Sequence, residues 1–255
     1  RNRKEAMSNK FNNLPEYNFL EGEPWCSLRT GQDLKSWSKN EEIAWNQVHR
    51  QTEKYKFYIK AFDLLTENNV VGDYYEFGCH RVRTFRMALT EARHHNLTNM
   101  NFFAFDSFAG LPQNTGDHGL GDKWNVNQLV TTEEEFIKLV NNHGVLVDKV
   151  VTFPGFYKDS LTHNLVKEMS VRKSKVFMAC VDCDLYESAV PVFQFLEHFL
   201  QEGAILYLDD YWSGYKGNPT KGVSKAFREF EKKTKWKFEE YLPVGAAGKA
   251  FMTYI

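Results

Sequence analysis

The chain has 255 residues, of which 42% are hydrophobic and 15% aromatic, so it is long enough to bury the core of one large domain. Its 32 basic and 33 acidic residues leave a formal net charge of -1. This balance gives no general attraction to nucleic acid or to an anionic membrane, and we expect neither as a partner.

The N-terminal region, residues 1–40, is polar and has weak periodicity. We expect it to form an arm that wraps the domain or reaches a partner subunit, which makes a homodimer a candidate assembly. Residues 41–68 carry apolar side chains at roughly helical spacing and predict a helix that ends at Asn68-Asn69. A single domain is then expected over residues 41–255.

The first strand is predicted over residues 70–77, and the next helix begins near Phe85. The turn between them contains Gly78, which permits a ligand to approach the backbone closely, and the helix N-terminus offers free N–H groups. These are features that a nucleotide-like ligand needs. One glycine is a weak signal, however, because an ordinary turn between a strand and a helix often contains a glycine as well.

The second strand, residues 101–105, is followed by Asp106. An acidic residue at this point commonly binds ribose hydroxyls in dinucleotide folds. Residues 111–128 are polar and glycine-rich, which is typical of a mobile lid with Trp124 as its anchor, although an ordinary loop explains the composition equally well. A capping box at Thr132 then begins a helix, and residues 149–153 form the third strand.

Two further apolar runs end in acidic residues. Residues 176–181 lead into Asp182-Cys183-Asp184, and residues 204–208 lead into Asp209-Asp210, with a helical pattern between them. Such a unit makes the strands parallel neighbours, so their carboxylates meet at one edge of the sheet. Close carboxylates repel unless a cation lies between them, and oxygen ligands favour Mg²⁺. The alternative is that each aspartate only begins a loop or caps a helix.

The chain closes with a helix over residues 221–233 and two strands, residues 236–242 and 249–255. The predicted fold class is therefore α/β and Rossmann-like. We expect a seven-stranded, mostly parallel sheet with helices on both faces and a C-terminal antiparallel hairpin strand.

The cysteine spacing and the hydropathy of the sequence indicate in which cellular compartment the protein is expected. Cys180 and Cys183 have C-x-x-C spacing, but they flank a strand end rather than open a helix, and no second pair follows. We expect buried free thiols. No apolar run approaches the length of a membrane span, and no signal peptide is visible in the sequence, which begins with Arg1. A soluble, cytoplasmic protein is the expectation.

Four segments resemble the class I S-adenosylmethionine-dependent methyltransferases, and more narrowly the macrocin O-methyltransferase family, which methylates sugar hydroxyls on macrolide antibiotics and related glycosides. They are EFGCHRVRT (76–84), FAFDSFAGLP (103–112), FPGFYKDSL (153–161) and VDCDLYES with LDDY (181–188 and 208–211). The resemblance implies S-adenosylmethionine and Mg²⁺ as cofactors. It also implies that the acceptor is a hydroxyl of a sugar or of a glycosylated natural product.

Transferred residue by residue, the resemblance implies a cofactor site and a metal site. The implied cofactor residues are Glu76, Gly78, Cys79, Thr84, Asp106, Ser107, Phe108, Gly155, Phe156 and Asp182. The implied metal ligands are Asp182, Asp209 and Asp210, and Asp182 is also the catalytic base. Asp184 is the rival for the first ligand position. Asp182 is preferred because it directly follows the apolar strand.

One departure from the family pattern leaves alternatives open. Val82 stands where related sequences usually have a second glycine, so either the turn is reshaped, with help from Arg81 and Arg83, or cofactor binding is weakened. The rivals are a catechol-type O-methyltransferase and a degenerate, non-catalytic family member. A hydride-transferring enzyme is more distant, because the turn lacks GxGxxG.

Overall fold

The computed structural model describes residues 36–112 and 129–255. These residues fall into two compact units, with the boundary between Gln47 and Val48 inside the first helix. Most of the predicted N-terminal arm and most of the predicted lid, including Trp124, lie outside the described residues. The proposed domain limits and the lid therefore stay predictions.

Seven strands form one sheet in the described part of the chain. They are β1 (Asp73–Phe77), β2 (Phe102–Asp106), β3 (Val150–Pro154), β4 (Val176–Val181), β5 (Ile205–Leu208), β6 (Lys237–Val244) and β7 (Gly248–Tyr254).

Seven α-helices accompany these strands within the same residues, one before β1 and six after it. They are α1 (Lys39–Glu67), α2 (Arg83–His94), α3 (Glu133–His143), α4 (Tyr157–Ser160), α5 (His163–Val171), α6 (Tyr186–Leu196) and α7 (Gly222–Glu231). Short 3-10 turns lie at His80–Val82, Val147–Lys149 and Tyr215–Gly217.

The strand order across the sheet is β3-β2-β1-β4-β5-β7-β6. The strands β1 to β5 are parallel to one another, whereas β7 pairs antiparallel with both β5 and β6. The order reverses direction beside β1, which is where open α/β sheets bind ligands at their carboxyl edge. The predicted fold class, including the antiparallel final strand, is confirmed.

The central strands bury both faces. Along β2, Phe103 and Phe105 belong to one apolar cluster and Phe102 and Ala104 to the other, as the alternation of side chains along a strand requires. One cluster contains apolar side chains of α6 and α7, and the other contains those of α1, α2 and α3. Helices therefore cover both faces of the sheet, which explains why the strands read as continuous apolar runs.

Two helices were not predicted from the sequence, namely α4 and α5. The N-terminus of α5 carries a signal that was available, because the Thr162 side chain accepts a hydrogen bond from the Leu165 N–H at 3.3 Å. Cys79, Cys180 and Cys183 are buried free thiols, as expected. Within residues 36–112 and 129–255, no helix combines the length and the apolar character needed to cross a membrane.

Candidate active site

Backbone hydrogen bonds join the residues that directly follow the central strands, so the carboxyl ends of these strands lie side by side at one edge of the sheet. The Asp182 N–H donates to the Phe77 carbonyl at 2.8 Å, and the Asp209 N–H donates to the Val181 carbonyl at 3.0 Å. β4 and β5 are parallel neighbours, as the helical crossover between them predicted. The first residues after β1, β4 and β5 are therefore adjacent.

A cavity of about 350 Å³ opens at this edge. It lies in the size range of small-molecule sites. Its wall is formed by residues that follow the strand ends and by the helices after them. These residues are Gly78, Asp106, Ser107, Gly110, Pro112, Gly155, Phe156, Tyr157, Lys158, Asp182, Cys183, Leu185, Glu187 and Ser188.

Gly78 shapes the first turn in a way that no other residue could. Its φ is +91°, a region that favours glycine. A Cβ built at this position would lie 1.7 Å from the backbone oxygen of Asp182. The turn after β1 therefore packs directly on the chain that leaves β4, which brings the predicted cofactor turn and Asp182 together.

Val82 adopts the left-handed conformation that its side chain disfavours, with φ 59° and ψ 22°, and Arg81 before it has φ 54°. Left-handed backbone costs an L-residue about 1–2 kcal/mol. The Val82 side chain is fully buried in the cluster with α1 and α2, and such burial contributes about 1.5–3 kcal/mol. Val82 therefore keeps the backbone geometry of a glycine and directs its methyl groups into the core.

Asp106 ties the first two turns together. One carboxylate oxygen accepts the Cys79 N–H at 2.7 Å and the other accepts the Phe108 N–H at 2.8 Å. Burial raises the pKa of Asp106, and these backbone donors partly offset that rise. Each oxygen keeps a second lone pair for a ligand. Asp106 thus positions the loops and still faces the cavity.

Glu76 lies inside the protein rather than in the cavity wall, since its side chain is fully buried. Its carboxyl group accepts hydrogen bonds from the Tyr74 hydroxyl and, at 2.9 Å, from the Thr84 hydroxyl. Cys79 and Phe108 also bury their side chains in the core cluster. Among the predicted cofactor residues, the lining members are Gly78, Asp106, Ser107, Gly155, Phe156 and Asp182.

Burial raises the pKa of Glu76 to about 8, despite the opposing hydrogen bonds from Tyr74 and Thr84. The folded protein therefore holds a proton that the unfolded chain releases near pH 4.5. Between about pH 4.5 and 8 the folded protein therefore binds one proton more than the unfolded chain at this site. The free energy of unfolding should fall as pH rises through this range, with the slope of one proton. Urea unfolding of Glu76→Gln across this range should lack that component.

Exposed Glu134→Gln is the matched control for this prediction and should keep the wild-type slope. An unchanged pH dependence in Glu76→Gln would show that Glu76 is ionised in the folded protein.

The aspartates after β4 and β5 form a compact group. One carboxylate oxygen from each of Asp182, Asp184 and Asp210 lies within 4.8 Å of the others. Asp184 reaches this position through a left-handed backbone with φ 56°, and its N–H donates to Asp210 Oδ2 at 3.0 Å. The group has only oxygen donors, which suits a hard divalent cation such as Mg²⁺.

The aspartates also interact electrostatically. Burial, together with repulsion from Asp209 and Asp210, holds the pKa of Asp182 well above its usual range. Burial, together with repulsion from Asp184 and Asp209, does the same for Asp210. A cation bound between these carboxylates would offset their repulsion and stabilise their ionised forms.

Asp209 has different partners. Lys54 on α1 places its Nζ 2.7 Å from Asp209 Oδ1 and 2.8 Å from Oδ2, and the Tyr207 hydroxyl also donates to Oδ1. The ligand set of Asp182, Asp209 and Asp210 stays a prediction. The geometry indicates a second candidate set of metal ligands, namely Asp182, Asp184 and Asp210, in which Asp184 takes the place of Asp209.

Comparison with known families places this arrangement in context. The model of the family described as macrocin-O-methyltransferase (TylF) matches residues 30–239, which is most of the chain. The chain belongs to the macrocin O-methyltransferase family. The resemblance seen in the four sequence segments is thereby confirmed.

Individual members of the family give a more detailed comparison. The chain is 28% identical over 149 residues to demethyldecarbamoylnovobiocin O-methyltransferase of Streptomyces niveus, covering 56% of this chain and 54% of that protein. It is 27% identical over 149 residues to 8-demethyl-8-(2,3-dimethoxy-alpha-L-rhamnosyl)-tetracenomycin-C 4'-O-methyltransferase of Streptomyces olivaceus, with the same 56% and 54% coverage. The match thus spans about half the length of these curated relatives.

A solved structure shares the fold. The O-methyltransferase NovP superposes with a TM-score of 0.64 at 22% identity, covering 78% of this chain and 79% of that one.

Sequence reasoning assigned no role to Tyr157, Lys158, Glu187 or Ser188, which line the cavity. All four lie in the two macrocin-family segments FPGFYKDSL and VDCDLYES. The two segments could have indicated these residues, because they already contained predicted site residues, and the sequence neighbours of a site residue often line the same cavity.

Proposed function

We propose that this protein is a magnesium-dependent O-methyltransferase that moves a methyl group from S-adenosylmethionine to a hydroxyl of a sugar or glycosylated natural product. One observation carries the proposal. In a chain of the macrocin O-methyltransferase family, a cavity at the carboxyl edge of the sheet is shared by the Gly78 turn, Asp106 and Asp182.

The cavity suits S-adenosylmethionine in size and in chemistry. Asp106 has free lone pairs for ribose hydroxyls, and Gly78 has no side chain that would occupy the cavity wall. Gly155 and Phe156 offer a surface for the adenine. When bound, the cofactor supplies an electrophilic methyl group.

The aspartate group suits Mg²⁺. Asp182 and Asp210 would hold it, with Asp184 or Asp209 as a third ligand. The support is the convergence of oxygen donors whose pKa values are raised by burial and by mutual repulsion. When bound, the ion lowers the pKa of a hydroxyl beside it and orients that hydroxyl.

The protein's own residues then have two tasks. Asp182 accepts the proton of the acceptor hydroxyl, since it follows β4 at the carboxyl edge of the sheet and lines the cavity. The cavity wall positions the two reactants and excludes water from them. A lid over residues 111–128 is part of this proposal.

The acceptor class is inferred from the relatives. The names of both curated relatives describe O-methylation of a natural product, and one names a position on a rhamnosyl group. A sugar hydroxyl is therefore the proposed acceptor. The buried free thiols of Cys79, Cys180 and Cys183 suit a reducing cytoplasm, and a homodimer stays a prediction.

The position of the Val82 side chain does not support the non-catalytic alternative. That alternative assumed that the Val82 side chain would crowd the cofactor turn. The side chain is buried in the core cluster instead.

Binding of S-adenosylhomocysteine, measured by calorimetry, tests the cofactor site. Asp106→Ala is expected to weaken binding by about 2–3 kcal/mol, the range for a charge-assisted hydrogen bond. Asp148→Ala is the control, because Asp148 is 77% exposed and its ion pair is with its neighbour Lys149. Equal affinity of the wild type and Asp106→Ala would rule out the ribose role.

A further inference from the structure

Lys54 is a cation that the chain itself brings to the aspartate group. It comes from α1, and its side chain is only 19% exposed. Its Nζ lies within 2.8 Å of both oxygens of Asp209. The Tyr207 hydroxyl donates to the same carboxylate. Both oxygens of Asp209 therefore already have donors from the protein.

The influence of Lys54 extends beyond Asp209. Asp182 and Asp209 both attract its ammonium electrostatically. The same ammonium also attracts the carboxylate of Asp210. Lys54 thus acts as the counter-ion of the aspartate group.

We propose that Lys54 withholds Asp209 from the metal, so that Mg²⁺ is bound by Asp182, Asp184 and Asp210 and its affinity is set by the tethered ammonium. This inference rests on the proposed metal site. Lys54 is a positioning residue in this account, since it acts through Asp209. Two consequences follow. The aspartate group keeps a counter-charge without metal, and Asp209 is not a metal ligand while Lys54 holds its carboxylate.

Calorimetric titration with Mg²⁺ tests the proposal in a cycle of variants. The double variant Lys54→Met/Asp209→Asn removes both partners of the pair and keeps the net charge of the group, so it should bind Mg²⁺ within about threefold of the wild type if Asp209 is not a ligand. Lys54→Met should tighten Mg²⁺ binding by roughly tenfold or more, because it removes a positive charge beside the ion and frees Asp209. Adding Asp209→Asn to Lys54→Met should abolish most of that gain. Lys54→Arg, which keeps the charge, should resemble the wild type.

Thermal melting provides a second readout. Lys54→Met should melt below the wild type without Mg²⁺ and recover most of the difference when Mg²⁺ is saturating, whereas the wild type should gain less from the ion. If Lys54→Met does not fold, the double variant, which leaves neither charge unpaired, decides alone. A dissociation constant for Mg²⁺ within about threefold of the wild type supports the proposal, and any larger loss of affinity overturns it.

Failure of this proposal can be distinguished from failure of the proposed function. A wild type that binds Mg²⁺, beside a Lys54→Met/Asp209→Asn variant that does not, overturns only the role of Lys54, because Asp209 is then a ligand of the ion. A wild type that binds no Mg²⁺, beside a Lys54→Met variant that does, supports the role of Lys54 and contradicts the magnesium requirement. Absence of binding in both proteins overturns both.

Discussion

Replacing Gly78 with alanine is expected to lower the free energy of unfolding by about 4 kcal/mol or more, or to prevent folding altogether. The new Cβ would lie 1.7 Å from the Asp182 carbonyl oxygen. Neither backbone can move away easily, since the Gly78 N–H donates to the Phe105 carbonyl at 3.0 Å and the Asp182 N–H donates to the Phe77 carbonyl at 2.8 Å. The measurement is urea unfolding, with the soluble yield as a second readout.

Gly245→Ala separates backbone strain from collision. Gly245 also has a positive φ, +57°, but a Cβ there meets no heavy atom within 4 Å. Gly245→Ala should lower the free energy of unfolding by about 1 kcal/mol, which is the cost of placing alanine in the left-handed region. Equal losses at the two positions would mean that Gly78 does not hold the first turn against the chain after β4.

Asp182→Asn is expected to lower methyl transfer by about 10²–10⁴-fold, because it removes the proposed base and a proposed metal ligand together. The substitution keeps the shape of the side chain, so the cavity wall is preserved. Affinity for S-adenosylhomocysteine should therefore change far less than turnover. Initial rates at saturating cofactor, together with calorimetry, separate the two effects.

Asp159→Asn is the control for this variant, because Asp159 lies on α4 and is exposed. It should retain wild-type turnover. If Asp182→Asn kept a turnover close to that of Asp159→Asn, Asp182 would have no chemical role and the proton would have to leave by another route.

The sheet was predictable because its strands are buried on both faces. The predicted strand over residues 176–181 coincides with β4, since every residue of that run is buried. β1 begins at Asp73 rather than at residue 70, and Val71 before it is 81% exposed. Apolar character alone therefore extended the prediction beyond the paired residues. The parallel placement of β4 beside β5 followed from the helical crossover between them.

The site was predictable to the level of strand ends but not of individual contacts. Topology predicted that Asp182 and Asp210 would meet. It could not predict that Lys54 would pair with Asp209, because the two residues are 155 positions apart and no periodic pattern marks that lysine. Nor could spacing show that Asp184 turns back through a left-handed backbone to join the group.

Val82 shows a different limit of sequence reasoning. Its β-branched side chain predicted either a reshaped turn or crowding of the cofactor. The structure keeps the left-handed backbone and buries the side chain in the core. Whether a side chain at a strained position points into a cavity or into the core depends on tertiary packing. Local propensity does not contain that information.

Transfer of a labelled methyl group from S-adenosylmethionine tests the central claim most directly. The assay presents a panel of glycosides and catechols to the wild-type protein, with Mg²⁺ and with excess chelator. We expect label on a glycoside hydroxyl in the presence of Mg²⁺ and none when the chelator is in excess. Full transfer in excess chelator, or label confined to the catechols, would contradict the assignment as a magnesium-dependent sugar O-methyltransferase.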